Sequence, residues 1–261
     1  LDVVLDLGRQ PLGNGFLSPN SGEELFFDLA CGFSEGSKLF QLVYQPDPEL
    51  MFHEDYAFYS GTSREMQNHF SQCATFLISE GFLSDGQSLV VELGSNDGVF
   101  LRNFVNSSIR HVGVEPSGAV ARSAEELGVN VERDFFSESL GTTMAAKYGH
   151  ADVIYAANVL CHIPDLPDLL RGIEKLLSPT GVVVFEDPYL GDVVRLGSFD
   201  QIYDEHVFLF SALSVIEVFG SIGLDLIDVF PLQTHGGSMR YVLGRRGVHV
   251  IRQSVDETVR R

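Results

Sequence analysis

Short apolar runs alternate with amphipathic segments of helix length over most of the chain, and this alternation most constrains its fold. Strands interleaved with helices are typical of a mainly parallel sheet with helices on both faces. We therefore predict an α/β fold with a Rossmann-like, mainly parallel sheet. The predicted strands cover 88–93, 111–114, 129–132, 152–156, 182–186, 224–230 and 239–244, and the predicted helices cover 63–81, 99–105, 118–127, 137–147, 166–177 and 213–222.

The first predicted strand ends in a glycine-rich turn, Glu92-Leu93-Gly94-Ser95-Asn96-Asp97-Gly98. Glycine lets the backbone turn tightly and lets a ligand approach closely, and ligands of such sheets bind beyond the carboxyl ends of the strands. The spacing differs from the G-x-G-x-x-G of dinucleotide binders, whose helix N-terminus faces a pyrophosphate. The two carboxylates beside this turn favour a cationic ligand, such as the sulfonium S-adenosylmethionine.

Three later strand ends carry side chains that suit an adenosyl ligand. Glu115 can accept hydrogen bonds from ribose hydroxyls, Asp134 and Phe135 suit the adenine amino group and ring, and Asn158 lies where the methionine portion would meet a substrate. Each residue alone could be a solvated carboxylate or part of the core, so the prediction rests on their combination. The predicted donor-binding residues are Glu92, Gly94, Asn96, Gly98, Glu115, Pro116, Asp134, Phe135 and Asn158.

The segment from Phe199 to His206 places several polar groups next to an apolar stretch. Methyl transfer to carbon needs a base that removes a proton beside a carbonyl, and histidine suits that task near neutral pH. Tyr203 or a carboxylate could orient the base or bond the enolate oxygen. The other interpretation is the start of a helix with ordinary surface charges.

A set of phrases in the right order resembles the bacterial sugar C-methyltransferases, a family that acts on nucleotide-linked 4-keto-deoxysugars. The resemblance implies a class I methyltransferase fold, S-adenosylmethionine as cofactor and a small-molecule substrate. The phrases are Val4-Leu5-Asp6-Leu7-Gly8, Gln10-Pro11-Leu12, Glu54-Asp55-Tyr56, Ser60-Gly61, Asn158-Val159-Leu160, His162-Ile163-Pro164-Asp165, Gln201-Ile202-Tyr203-Asp204-Glu205-His206 and Thr234-His235-Gly236-Gly237-Ser238.

The resemblance also implies roles for individual residues. His206 would be the base that takes the proton alpha to the ketone, with Tyr203 and Glu205 orienting the sugar and the base. The resulting enolate would attack the sulfonium methyl group. The substrate-binding residues that it implies are Asn158, Cys161, His162, Tyr203, His235 and Ser238.

The first 62 residues are rich in Gly, Pro and Asn, and we predict a small irregular module there. The resembled family opens with a zinc module that carries two Cys-x-x-Cys pairs. Here Ser34-Glu35-Gly36-Ser37 stands where the second pair belongs, and Cys31 has no partner, so we predict a degenerate remnant without structural zinc. We expect the methyltransferase domain over 63–245 and the start of a further domain over 246–261.

The net charge and the cysteine positions indicate which binding partners and which cellular compartment to expect. The formal net charge of -19 disfavours nucleic acid and anionic membranes, and no apolar run is long enough to span a bilayer. The cysteines Cys31, Cys73 and Cys161 form no disulfide pattern, so we expect a cytoplasmic protein.

Three functions remain open from the sequence. The first is a C-methyltransferase of a keto sugar or a related carbonyl compound. The second is a methyltransferase of the same fold that acts on oxygen or nitrogen of another small molecule. The third is a non-catalytic remnant that binds a nucleoside or a partner protein.

Overall fold

The computed structural model describes residues 1–14, 24–52, 59–84 and 86–260. Its strands form one four-stranded and one seven-stranded sheet. The strands are β1 (Asp2–Pro11), β2 (Phe26–Phe33), β3 (Phe40–Leu42), β4 (Leu89–Leu93), β5 (Arg110–Val114), β6 (Val131–Glu132), β7 (Ala151–Ala157), β8 (Leu177–Pro188), β9 (Phe208–Leu209), β10 (Leu224–Leu232) and β11 (Ser238–Arg245). The α-helices are α1 (Pro48–Met51), α2 (Arg64–Ser79), α3 (Gly118–Glu126), α4 (Glu138–Tyr148), α5 (Leu166–Leu176), α6 (Leu190–Leu196), α7 (Ala212–Gly220) and α8 (Gln253–Val259).

The seven-stranded sheet has the order β10-β11-β8-β7-β4-β5-β6. Strands β8, β7, β4, β5 and β6 pair in parallel, and β11 and β10 add an antiparallel edge. The mainly parallel sheet expected from the sequence is therefore confirmed. The chain leaves β4 toward β5 and β6, then returns to place β7 and β8 on the other side. The carboxyl ends of β4 and β7 thus border the crevice where strand order reverses, which is where such sheets bind ligands.

Two apolar clusters cover the faces of this sheet. Strand β4 is buried along its whole length and contributes Val91 to one cluster and Val90 to the other. Helix α2 packs its buried side, which includes Phe70 and Leu77, into the second cluster. Ser63 caps this helix, because its hydroxyl accepts a hydrogen bond from the Met66 amide. No helix in the described ranges has the length and apolar character needed to cross a bilayer.

The prediction of an irregular N-terminal module is wrong. Strands β1, β2 and β3 form an antiparallel sheet with β9, which comes from far along the chain. This sheet has a small apolar cluster of its own, in which Leu29, Cys31 and Leu42 are buried. Most of β1 is exposed, so it lacks the alternating pattern of a half-buried strand and gave no local signal. Because β9 completes the sheet, a boundary at residue 62 does not separate the module from the rest of the chain.

Two helix predictions also need correction. The segment 99–105 is not an α-helix, and only Leu101–Asn103 forms a 3-10 turn. The Asn103 side chain donates to the carbonyls of Val99 and Phe100, which competes with continued helical bonding. Helix α6 was not predicted because Val194 and Leu196 lie exposed and blur its amphipathic pattern. Helix α8 packs beside β10, where the Arg252 amide donates to the Ile227 carbonyl at 2.8 Å; a further domain over 246–261 stays a prediction.

Helices α4 and α5 approach closely at two glycines. A Cβ atom at Gly141 would lie 2.6 Å from the Gly172 carbonyl oxygen, and a Cβ atom at Gly172 would lie 2.6 Å from the Ser137 carbonyl oxygen. Backbone atoms oppose each added carbon, so a side chain there must push the helices apart.

We predict that Gly172→Ala lowers the free energy of unfolding by about 1–3 kcal/mol through overpacking. Gly220→Ala is the matched control, because a Cβ atom there would meet only the end of Arg246, at 3.7 Å. The control should be neutral or stabilising by up to about 1 kcal/mol, since alanine favours helix over glycine. Urea unfolding measures both, and equal stability of the two variants would contradict the close packing.

Candidate active site

The ends of β4, β5 and β7 open into a cavity of about 430 Å³. Seven of the nine predicted donor residues line it, which brings together parts of the chain that lie far apart in the sequence. Glu92 and Gly98 are not among the lining residues. Those that line it are Gly94, Asn96, Glu115, Pro116, Asp134, Phe135 and Asn158.

The glycine-rich turn needs its glycines for backbone reasons. Gly94 has φ +63°, and a Cβ atom there would lie 2.4 Å from Cγ2 of Val159, on the turn after β7. Gly98 has φ +76°, and a Cβ atom there would lie 3.0 Å from the Cβ atom of Ala124 on α3. Gly94 therefore lets two strand-end turns approach each other, whereas Gly98 lets a helix pack behind the turn.

Glu115 ties two of the strand-end turns together. Its carboxylate accepts one hydrogen bond from the Asn96 amide and one from the Ser117 amide, each at 2.9 Å. Burial raises the pKa of this carboxyl, and the two backbone donors work in the opposite direction. The predicted ribose ligand is thus also a brace for the turn after β4.

Glu92 lies inside β4 with 3% of its surface exposed. Its Oε2 atom has no hydrogen-bond partner among the described residues. Burial, together with the charges of Asp97 and Glu115, raises the pKa of Glu92 well above its ordinary value. Glu92 therefore lies beneath the turn and outside the set that lines the cavity.

The segment before α2 folds over the glycine-rich turn. The Ser60 amide donates to Asn96 Oδ1 at 3.0 Å, and the Gly61 amide donates to Asp97 Oδ2 at 2.9 Å. Asp97 is therefore occupied with the backbone of residues 60–62. The phrase Glu54-Asp55-Tyr56, which carried part of the resemblance, lies outside the described residues.

A buried ion-pair network borders the cavity and was missed from the sequence. Glu186, at the end of β8, lines the cavity and is held by His69 Nε2 at 2.5 Å and by Arg240 Nε at 2.7 Å. Burial opposes its ionisation, but the hydrogen bond from His69 and the charge of Arg240 hold the pKa of Glu186 below its ordinary value. The three residues come from β8, α2 and β11, so no local motif marks them.

Asp187, the next residue on β8, holds the turn that follows β7. Its two carboxylate oxygens accept hydrogen bonds from the amides of Val159 at 3.1 Å and of Cys161 at 3.0 Å. Burial raises the pKa of Asp187 to about 7. Asn158 begins the turn in the left-handed region, at φ +56°, and lines the cavity. Cys161 is fully buried beside Asp187 and, contrary to the prediction, is not among the lining residues.

His206 is oriented by two neighbours. Its Nδ1 atom donates to the Gln201 carbonyl at 2.8 Å, and its Nε2 atom lies 3.3 Å from the Tyr203 hydroxyl. The imidazole stacks on the ring of His162, with centroids 5.2 Å apart. His162 lines the cavity, whereas Tyr203, Glu205 and His206 lie outside the lining set. The predicted catalytic residues therefore cluster one side chain away from the cavity.

The N-terminal segment directly contacts the segment 199–206, which contains the predicted catalytic residues. The Asn14 side-chain amide donates to Glu205 Oε1 at 2.5 Å, and the Gly13 amide donates to Asp204 Oδ1 at 2.8 Å. Burial raises the pKa of Glu205, which the hydrogen bond from Asn14 partly offsets. No local pattern predicts this contact, because Asn14 and Glu205 are separated by 191 residues.

The last predicted residues lie on the connection between β10 and β11. Ser238 is buried, lines the cavity and donates through its hydroxyl to the Thr234 carbonyl at 3.0 Å. The side chain of His235 lies outside the described part of the chain. Its substrate-binding role stays a prediction.

Known protein families and relatives match most of the chain. A family model described as a methyltransferase domain matches residues 66–229. A second family model, of a domain to which zinc binding is ascribed, matches residues 1–52. The C-methyltransferase NovU of Streptomyces niveus is 32% identical over 241 residues, which make up 92% of this chain and 57% of NovU. The chain thus spans little more than half the length of that relative.

Solved structures share the fold at lower sequence identity. A SAM-dependent methyltransferase from Anabaena variabilis has a TM-score of 0.53 at 14% identity, covering 67% of this chain and 84% of its own. The magnesium protoporphyrin IX methyltransferase of Synechocystis, solved with bound SAM, has a TM-score of 0.50 at 14% identity, covering 69% of this chain and 79% of its own. The class I, Rossmann-like fold expected from the sequence is confirmed.

The N-terminal residues do not supply a zinc donor set. Residues 1–52 contain one cysteine, Cys31, and no histidine. Cys31 is buried between apolar side chains of β2 and β3, and burial raises the pKa of its thiol to about 11. Structural zinc takes four sulfur or nitrogen donors, and this segment supplies only the one buried thiol of Cys31, so the residues present do not fit the metal. The absence of structural zinc stays a prediction.

We predict that Asp187 makes stability fall with pH around neutrality. A buried carboxyl with a raised pKa favours the folded state while it is protonated. Its contribution is therefore complete below about pH 4, the ordinary value, and is lost as pH rises through about 7. Urea unfolding at about pH 5 and about pH 8 should show a smaller loss of stability for Asp187→Asn than for the wild type. The exposed Asp256→Asn is the control and should keep the wild-type difference.

Proposed function

Because this chain belongs to the family of methyltransferase domains, we propose that it is an S-adenosylmethionine-dependent C-methyltransferase of a nucleotide-linked keto-deoxysugar. The observation that carries the catalytic part is His206, whose Nδ1 atom is already committed to the Gln201 carbonyl. Its other ring nitrogen, Nε2, lies 3.3 Å from the Tyr203 hydroxyl and, in this tautomer, carries the lone pair that accepts a proton.

The cavity suits a cationic nucleoside. Its volume of about 430 Å³ is within the usual range for small-molecule sites. Seven of its described lining residues carry carboxylates, and the described lining contains no lysine or arginine. The cofactor supplies an electrophilic methyl group on a sulfonium, and Gly94, Asn96, Glu115 and Asn158 would hold it at the strand ends. The lining carboxylates are Asp47, Glu49, Glu115, Asp134, Asp165, Asp168 and Glu186.

His206 and Tyr203, which lie behind His162 as seen from the cavity, would activate the acceptor by removing a proton. His206 takes the proton from the carbon beside the ketone, and the electron pair of that C–H bond becomes the enolate. The Tyr203 hydroxyl, 3.3 Å from His206 Nε2, orients the base. When bound, the cofactor would supply the methyl group to the enolate carbon as its S–CH₃ bond breaks, with S-adenosylhomocysteine as the leaving group. His206 holds the abstracted proton until it is lost to solvent. Holding the enolate in line with the methyl group accounts for most of the rate.

The acceptor lies on the His162 side of the cavity in this proposal. The ring of His162 both lines the cavity and stacks on His206, so it marks the route from donor to base. Catalytic contacts are often longer in a free enzyme and close when substrate binds. A carbon acceptor is supported by the name of the relative, C-methyltransferase NovU, and a sugar acceptor by the phrases around Tyr203 and Ser238.

We predict that Glu115→Gln weakens binding of S-adenosylhomocysteine at least about 10-fold. An amide would turn its NH₂ group toward one of the two backbone donors, Asn96 or Ser117, and leave that amide unpaired. Isothermal titration calorimetry measures the affinity. Glu126→Gln, an exposed change at the end of α3, is the control and should bind as the wild type does. Unchanged affinity in Glu115→Gln would remove this residue from the donor site.

We predict that His206→Ala abolishes exchange of the α-proton of a nucleotide-linked 4-keto-deoxysugar in D₂O, because the base is lost. Nuclear magnetic resonance of the sugar measures this exchange without methyl transfer. Tyr203→Phe keeps the base and should retain reduced exchange, and both variants should still bind S-adenosylhomocysteine. Full exchange in His206→Ala would exclude His206 as the base. Methylation without any exchange would favour transfer to oxygen or nitrogen.

A further inference from the structure

Cys161, His162 and His206 bring one sulfur and two imidazole nitrogens within 4.8 Å of one another, and all three residues are buried. We propose that these side chains form a binding site for Zn²⁺, separate from the N-terminal module, and that a bound ion takes the base of the reaction out of use. The binding part stands on this cluster alone. The inhibitory part rests on the proposed function.

The donor chemistry selects a borderline-soft cation. Thiolate and imidazole are the ligands that zinc prefers, whereas magnesium and calcium take oxygen ligands. Ligand atoms around tetrahedral zinc lie roughly 3.4–3.6 Å apart, as its bond lengths require. The three atoms must therefore close by about 1 Å, which side-chain rotation can supply. The stacked rings of His162 and His206, inclined by 25°, would turn toward a common centre.

The groups around the cluster resemble those that orient metal ligands. A histidine that binds a metal through one nitrogen usually donates its other ring N–H to a carbonyl or a carboxylate. His206 already donates Nδ1–H to the Gln201 carbonyl at 2.8 Å. Its Nε2 atom lies 3.3 Å from the Tyr203 hydroxyl and would exchange that contact for the metal. The backbone of Cys161 is fixed by the hydrogen bond from its amide to Asp187. Two of the three ligands are thus held in place before an ion arrives.

The site also has an entry path and an open position. His162 lines the cavity, so an ion can reach the cluster from there. Three protein ligands leave the fourth tetrahedral position to water or to a carbonyl compound. Burial and the nearby Asp187 carboxyl raise the pKa of the Cys161 thiol well above its ordinary value, so the ion must displace the thiol proton. That proton goes to solvent, a sulfur–zinc bond forms, and no electron transfer is involved.

A zinc ion bound to this cluster would prevent the proposed catalysis. The lone pair of His206 Nε2 can accept a proton or bind an ion, but it cannot do both. Zinc binding therefore removes the proposed base and places a charged group between the cavity and Tyr203. Free zinc and α-proton abstraction should exclude each other.

Cobalt(II) tests the binding part, because a cobalt–thiolate bond gives a charge-transfer absorption band that free or oxygen-bound cobalt lacks. The wild type should bind one equivalent with this band, and added Zn²⁺ should displace it. Cys161→Ala should lose the band. Cys73→Ala and Cys31→Ala are matched controls, since both residues are buried thiols outside the cluster, and both variants should keep it. Circular dichroism confirms that each variant is folded. An unchanged band in Cys161→Ala, or no band in the wild type, would overturn the site.

The inhibitory part is tested by the α-proton exchange reaction. Equimolar Zn²⁺ should lower exchange by the wild type at least 10-fold, with recovery on addition of a chelator. Cys161→Ala, compared with its own zinc-free rate, should be less sensitive. Exchange that is unaffected or accelerated by zinc would overturn the inhibition. If zinc-free protein shows no exchange, the proposed function and the inhibitory part fail together, and the cobalt titration still decides whether the site exists.

Discussion

Two adjacent carboxylates at the end of β8 organise the region where the strands meet. Successive residues of a strand point to opposite faces of the sheet. Glu186 therefore joins His69 of α2 and Arg240 of β11 on one face, while Asp187 binds the turn after β7 on the other. Removing one partner of such a buried network leaves a polar group without compensation, which costs more than the bond itself stabilises. Both residues therefore support the walls of the cavity, although neither was predicted from the sequence.

The N-terminal sheet bears on the same site from outside the methyltransferase domain. Strand β9 completes that sheet and follows directly after His206, so the sheet anchors one end of the catalytic segment. The Gly13 amide donates a hydrogen bond to Asp204, and the Asn14 side chain donates one to Glu205. A small apolar cluster, with Cys31 in its interior, packs between the strands of this sheet. The module therefore contributes to the candidate active site, because its hydrogen bonds fix the residues beside His206, the proposed base.

Two neighbouring regions differ in their charged groups: the strand ends that line the cavity, and the cluster of side chains behind His162. Carboxylates surround the strand ends, where a sulfonium would be held. Imidazole and phenol groups gather beyond His162, where proton transfer is proposed. Both regions share the turn that carries Asn158 and His162, so donor and acceptor sites are coupled through one short segment. The same turn brings Cys161 close to the two histidines, which is why a base and a soft metal site can occupy one cluster.

The sequence by itself determined which segments form most strands and helices of the central domain and how they alternate along the chain. Apolar periodicity and turn residues are local signals that do not need tertiary context. It also marked seven residues that line the cavity, since strand ends can be located once strands are recognised. It missed β1 and β2, whose exposed or weakly patterned residues become strands only by pairing. It did not show that Gly98 packs against α3 behind the turn, or that Cys161 is buried outside the lining residues.

Only the tertiary structure decided the His69–Glu186–Arg240 network, the contact of Asn14 with Glu205, and the cluster of Cys161 with two histidines. Most of these contacts join residues far apart in the chain, and their distances depend on how helices, sheets and turns pack. The physical reason is that a pattern along the chain fixes what each segment can form, whereas burial and charge pairing between segments fix which groups meet.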